Sequence, residues 1–136
     1  MGGDCLFCAI ADKKIPASIV YEDDAAIGFL DIHPRAMGHT MVIPKHHFET
    51  ILDAKDGELS GVFIAVKKVT ELLKKKLNPD GFTIGINQGT VAGQVIPHLH
   101  IHIMPRWASD GGGSVHSAVN NPGNKTVDEV FRILTS

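Results

Sequence analysis

The chain has 136 residues, 43% hydrophobic and 21% charged, with a formal net charge of −2 at pH 7. That length predicts one domain, 1–136, burying about two-thirds of its unfolded surface, with an ordinary globular composition. No basic excess points to nucleic acid as the main partner, and no apolar run approaches the roughly 18 residues of a membrane span.

The opening Met1-Gly2-Gly3-Asp4 lacks the charged and apolar regions of a secretory leader, so a cytoplasmic protein is the default expectation. The two cysteines form Cys5-Leu6-Phe7-Cys8. In a reducing compartment such a pair points to a metal or redox role before a disulfide. No strand precedes it, as one would in a thioredoxin-like unit, which leaves half a zinc site or two idle thiols. Phe7 to Ala11 predicts a short helix that Pro16 ends. Ile19 to Tyr21 and Ala26 to Leu30 predict two strands joined at Glu22-Asp23-Asp24, and His39 to Ile43 a third strand after a loop with Pro34 and Gly38.

One long helix is expected from about Glu58 to Leu77, where Leu59, Val62, Phe63, Val66, Val69, Leu72, Leu73 and Leu77 recur at three- and four-residue spacing. Asp56 is its candidate cap, and Lys74, Lys75 and Lys76 suit the negative end of its dipole as a solvated surface. After the turn signal Asn78-Pro79-Asp80-Gly81, Phe82 to Asn87 predicts a fourth strand, and Gln88 to Gln94 a glycine-bearing loop. The tail reads as a flexible run, Asp110 to Ser114, a turn at Asn120 to Gly123, and a last helix to Leu134, capped by Thr126 with Glu129 at capping-box spacing. Antiparallel strands with one dominant helix predict an α+β domain.

The run Pro97-His98-Leu99-His100-Ile101-His102-Ile103-Met104 carries the chemistry. In a strand, alternate side chains share a face, so three imidazoles line up roughly 6.6 Å apart while Leu99, Ile101 and Ile103 face a core. Three readings compete. The histidines are exposed surface residues, or ligands of a catalytic metal, or a neutral nucleophile with neighbours that handle protons and phosphate oxygens. Crowding is expected to lower their pKa values below about 6.5. Cys5 and Cys8 need two further ligands to close a tetrahedral site. If one end of the row joins them, two histidines remain metal-free. Spacing alone does not choose.

The pattern His98-Leu99-His100-Ile101-His102-Ile103-Met104 resembles the signature of the histidine triad (HIT) superfamily. Ile15-Pro16-Ala17, Tyr21-Glu22-Asp23, Phe29 to Ile32, Gly38 to Lys45, Asn87-Gln88-Gly89 and Gly93-Gln94 follow in the family's order. The resemblance covers a core of about 4–106, leaving 107–136 as a variable tail, and is strongest to the small nucleotide-binding branch. It implies a homodimer in which long helices pair and the strands join into one continuous sheet, and it implies a purine nucleotide partner such as AMP or GMP derivatives.

By that resemblance, His100 is the nucleophile that forms a nucleotidyl-imidazole, His102 assists the phosphate and leaving group, and His39 belongs to a proton relay. Leu6, Phe7, Ile10, Phe29 and Ile32 would build the base pocket, Asp31 would bind the ribose hydroxyls, and Asn87, Gln94 and Val95 would surround the α-phosphate. Val95 stands where many members carry Ser, which leaves only its backbone N–H for that task. A structural Zn2+ would be held by Cys5, Cys8, His47 and His98, with His46 the near alternative to His47. The tail Pro105-Arg106-Trp107 is similar to that of branches acting on dinucleoside polyphosphates. Arg106 and Trp107 are candidates for a second phosphate or base, with packing the alternative for Trp107, and His116 reads as merely exposed. The expected activity is adenosine phosphoramidase-type hydrolysis. Its rivals are dinucleoside polyphosphate hydrolysis or phosphorolysis, a nucleotide-binding interaction protein, and a catalytic zinc hydrolase.

Overall fold

The structure, a computed structural model, describes residues 5–136; the Met1–Asp4 stretch on which the leader reading rests lies outside the described residues. Its elements are helix α1 (Leu6–Ala11), strands β1 (Ile19–Glu22), β2 (Ala26–Leu30) and β3 (Thr40–Pro44), helix α2 (Asp56–Leu77), strands β4 (Gly81–Gly85) and β5 (Ile101–Arg106), and helix α3 (Val127–Thr135). The strands form one antiparallel sheet in the order β1-β2-β3-β5-β4. The fold is the expected α+β arrangement.

The sheet has a core on each face. On one side α2 lays Val62, Ala65, Val66, Val69 and Leu73 against Ala26, Val42, Leu99, Ile101 and Ile103. Each buried valine, leucine or isoleucine among them contributes roughly 1.5–3 kcal/mol. Gly28 lets the helix come close, since a Cβ there would lie 2.9 Å from Val69 Cγ2. On the other side the short α1 lays Phe7 and Ile10 against Ile27, Phe29, Met41 and Ile43. This second, thinner layer leaves room beside α1 for the histidines.

Several local features differ from expectation. α1 ends at Ala11 with Asp12 as its cap, before Pro16, because Lys13 turns left-handed (φ 64°). Asp56 is the first residue of α2 and not its cap; Lys55 caps the helix, its backbone N–H donating to the Glu58 carboxylate at 3.2 Å. The expected turn at Glu22–Asp24 is held by Asp23, whose Oδ1 accepts from the Ala25 and Ala26 N–H groups at 2.8 and 2.9 Å. The histidine strand is shorter than its pattern. Ladder pairing stops at Val42–Ile101 and Gly85–His102, so His98 to His100 run unpaired ahead of β5, with Leu99 N–H bonded to Phe48 O. Pro97 has no N–H to extend the ladder. The glycine run expected to be flexible is tied down by Arg106, as described below. Among the described residues, no helix is long and apolar enough to cross a membrane.

Candidate active site and metal cluster

Although only part of the histidine run is strand, its alternation persists. Leu99, Ile101 and Ile103 enter the α2 core, while the histidines turn to the α1 side. The three then separate. His98, fully buried, turns toward the cysteines; its Nδ1 lies 3.3 Å from Cys5 Sγ, 3.4 Å from Cys8 Sγ and 3.1 Å from His47 Nδ1. Cys8 Sγ is 3.2 Å from His47 Nδ1. A tetrahedral site with ordinary zinc-type bond lengths has edges of about 3.3 Å between nitrogens and about 3.5 Å between nitrogen and sulfur. The four donors fit one small cation.

The backbone aims them. Cys5 caps α1, its sulfur accepting the Cys8 N–H at 3.3 Å, so one helical turn brings both thiols to one point. His98 Nε2–H donates to the Pro44 carbonyl at 3.0 Å, which leaves the Nδ1 lone pair facing the cluster. Burial pushes the Cys8 thiol up to about 11 and the His98 imidazole down to about 4, so the protein alone favours the neutral form of both groups. A divalent cation displaces the thiol protons and reverses that preference. His46, the near alternative, points away. It is 84% exposed, with its Nδ1 2.8 Å from Glu58 Oε2.

His100 takes a different partner. Its Nδ1–H donates to the His98 carbonyl at 2.8 Å, leaving Nε2 with a lone pair. Phe7 meets its ring edge-on, the centroids 5.0 Å apart. His102 follows with its ring centroid 5.2 Å from that of His100, and its Nδ1 lies 2.9 Å from His39 Nε2. The Arg35 backbone N–H donates to His39 Nδ1 at 3.1 Å, so the His39 proton is on Nε2 and passes its hydrogen bond to His102 Nδ1. His102 therefore carries its own proton on Nε2.

Asp31 Oδ2 stands 3.6 Å from His39 Nε2, beyond hydrogen-bond length, while its Oδ1 accepts from the His33 N–H. His39 is held below its ordinary pKa by burial, against the pull of Asp31. His102 is lowered to about 4, first by burial and then by the neighbouring imidazoles of His100 and His39. At His98 and His102 the direction is the one expected from crowding, but desolvation is the larger cause. Gly38, at φ +84° and with no room for a Cβ beside Leu77, forms the turn that delivers His39.

His100 and His102 open into a cleft of about 590 Å³. Its apolar wall is Leu6, Phe7, Ile10, Phe29, Met41 and the exposed Ile32, with Asp31 and Asn87 as polar groups and Val95 at the rim. Of the expected site residues, His39 lies behind His102 and Gln94 does not line the cleft either. The Gln94 amide accepts from the Gly89 N–H and donates to the Glu49 and Ile96 carbonyls, so it shapes the loop that carries Val95. Sequence reasoning missed the Pro44 and His98 carbonyls and the Arg35 N–H. These are backbone groups, which leave no signature in side-chain identity.

Residues 12–108 match the family model for the HIT domain. The chain belongs to the HIT family. An uncharacterized HIT-like protein of Methanocaldococcus jannaschii is 50% identical over 128 residues, spanning 94% of this chain and 96% of that one. The adenylylsulfatase HINT3 of Arabidopsis thaliana is 36% identical over 113 residues, which cover 79% of this chain and 57% of that protein. Among solved structures, a zinc-bound histidine triad protein from Mycobacterium smegmatis superimposes with a TM-score of 0.78 at 33% identity, covering 90% of this chain and 86% of that one. A histidine triad nucleotide-binding protein from Candida albicans gives 0.80 at 32%, covering 97% and 92%. This HIT protein thus has a zinc-bound relative of the same fold.

Proposed function

We propose that this HIT protein cleaves purine nucleoside 5′-phosphate derivatives at the α-phosphate, by way of a nucleotidyl-His100 intermediate, in the manner of an adenosine phosphoramidase. The observation that carries this reading is the 2.8 Å bond from His100 Nδ1 to the His98 carbonyl, which turns Nε2 toward the cleft as the nucleophilic nitrogen. In the first displacement, Nε2 forms a bond to phosphorus and the bond to the leaving group breaks. The leaving group departs with the electron pair while accepting a hydrogen bond from His102 Nε2–H. The ring of His100 becomes cationic, and the His98 carbonyl stabilises that charge through Nδ1–H. Water then attacks phosphorus, one of its protons passing through His102 to the departed leaving group, and the P–N pair returns to Nε2. The products are the nucleoside monophosphate and the protonated leaving group, and two easier steps replace one difficult one.

In this reading Leu6, Phe7, Ile10, Phe29 and Ile32 hold the base, and Asp31 takes the ribose hydroxyls, as a carboxylate with free lone pairs can. Asn87 and the Val95 N–H meet the phosphate side. Cys5, Cys8, His47 and His98 hold a structural zinc that braces the strand behind His100. Residues 4–106 form the catalytic core of a single domain, and the chain works in the cytoplasm, where its thiols stay reduced. Copies pair through the free edge of β4, beside which Phe63, Val66, Thr70, Phe82 and Ile84 line an apolar groove of about 650 Å³ against α2.

Rapid mixing with adenosine 5′-phosphoramidate, followed by acid quench and intact-mass spectrometry, tests the covalent step. The wild-type chain is expected to carry one adenylyl group and His100→Ala none, with turnover reduced at least 1,000-fold, on the order of 4 kcal/mol. Full turnover by His100→Ala would sink the mechanism.

A further inference from the structure

Resting on the pairing of copies through β4, we propose that helix α3 is an exchanged arm. Its apolar face docks on a second copy of this chain, over the loop that borders the second copy's cleft. α3 sets Val127, Val130, Phe131 and Leu134 at i, i+3, i+4 and i+7, an amphipathic stripe, yet none of its residues is buried against the described residues of its own chain. A capping box starts it, with Glu129 N–H donating to Thr126 Oγ1 at 3.1 Å and Thr126 N–H donating to Glu129 Oε1 at 2.8 Å. Caps do not suffice. Isolated helices shorter than about 12 residues are marginal in water, and α3 has 9. A helix of this length needs a surface to cover its stripe.

The start of the tail gives its direction. Arg106 staples the turn after β5, donating to both Asp110 carboxylate oxygens, to Thr83 Oγ1 at 2.9 Å and to the Gly113 carbonyl at 2.6 Å. Asp110 also accepts the Trp107 and Gly112 N–H groups. Arg106, expected as a second phosphate ligand, is thus spent on this staple, and the same staple fixes the Trp107 backbone. Thr83 belongs to β4, the outermost strand of the sheet, and pairs with Met104, which shares a face of β5 with His102. Its neighbours Phe82 and Ile84 face the α2 groove instead. The tail therefore sets out from the free edge of the sheet, on the side of the catalytic cleft. All of residues 108–136 are exposed.

Symmetry then names the receiving surface. Two copies of β4 joined in one sheet about a two-fold axis run antiparallel. The axis stands normal to the sheet, so both histidine faces point the same way, and the start of one β4 lies against the end of the other. The end of β4 leads into residues 86–95, the loop whose Asn87, Gly93 and Val95 line the cleft. That loop leaves Val91 fully exposed and Val95 83% exposed. The Ile51 N–H donates to Gln88 Oε1 at 3.2 Å, which brings Leu52, 82% exposed, to the same loop. These three aliphatic side chains are the receiving surface for the stripe of α3. Residues 118–126, extended, span up to about 30 Å, enough to carry the helix across the edge. The two-fold axis makes the exchange mutual, so each cleft is rimmed by the arm of the other copy.

Photo-cross-linking tests this in the full-length protein, with a benzophenone side chain in place of Phe131 and isotope-labelled copies exchanged with unlabelled ones. Irradiation is expected to give a covalent dimer whose linked peptides, read by mass spectrometry, join position 131 of one isotope to segment 50–53 or 87–95 of the other. Phe131→Asp, a change at an exposed position, should weaken self-association about tenfold in sedimentation, and Val91→Asp should do the same. Links confined to one isotope, links to another surface of the second copy, or unchanged association in both variants would overturn the exchange while leaving the β4 pairing in place. A wild-type chain that sediments only as a monomer would instead bring down the β4 pairing, and the exchange with it.

Discussion

Two clusters on the same side of the sheet each bring metal-type donors within 4.8 Å of one another, yet they are built for different tasks. In the first, Cys5, Cys8, His47 and His98, the imidazole of His98 is backed by a carbonyl. Pro44 O holds the proton on the far nitrogen, and a lone pair faces inward. In the second, Asp31, His39 and His102, the imidazole of His39 is backed by an N–H. Arg35 occupies the far lone pair, and a proton faces inward. A lone pair binds a cation, whereas a proton bridges to His102 and leaves a chain of neutral donors. Proximity of donors is therefore an insufficient criterion for a metal site, and the backbone group behind each ring decides.

That comparison breaks most easily at the thiols. Cys5→Ser combined with Cys8→Ser is expected to abolish bound zinc, measured by elemental analysis, and to lower stability by on the order of 3 kcal/mol, a Tm drop of roughly 10 °C. His102→Ala should leave zinc content intact. Zinc that survived the double cysteine change but vanished with His102→Ala would reverse the roles of the two clusters.

Acid separates the clusters next. His102 has its pKa lowered from the ordinary 6.5 to about 4, and His39 is lowered in the same direction, with Asp31 and His100 facing the pair. For groups depressed in the folded state, the unfolded chain binds the extra protons, so this stability is complete above about pH 6.5 and is lost as pH falls toward 4. Denaturant titrations across that window should show His102→Gln with a shallower pH slope than the wild type. An unchanged slope would remove His102 from the account.

The smallest effect is expected at His46. Exposed and paired only with Glu58, it should be replaceable by Ala with no change in zinc content and within about 0.5 kcal/mol of stability. Loss of metal in His46→Ala would mean that the neighbouring His47 had been wrongly preferred.

Much of the fold was legible because periodicity reports faces. The three- and four-residue spacing of α2 and the alternation of Leu99, Ile101 and Ile103 each named the side that the core covers. Boundaries were less legible. The histidine pattern runs on as far as His98, but pairing begins only at Ile101, since a ladder needs a neighbour of the right length and sequence does not supply one. Arg106 was misjudged for a related reason. Its charge was evident, but Asp110, Thr83 and the Gly113 carbonyl had claimed it. The tail turn was expected to be flexible because glycine composition speaks of freedom and not of partners.

By itself, the sequence determined that three imidazoles share one face, that two cysteines stand three residues apart beside a short helix, and that the chain carries the histidine triad pattern. Those are consequences of local geometry, in which 2.0- and 3.6-residue repeats place side chains without reference to distant neighbours. Only the tertiary structure decided that His47 and not His46 meets the thiols, that Arg106 is spent on Asp110 and Thr83, and which nitrogen of each histidine holds the proton. His47 reaches Cys8 across 39 residues of sequence and His98 across 51, while the imidazole protons are placed by backbone carbonyls and amides, which no residue type announces.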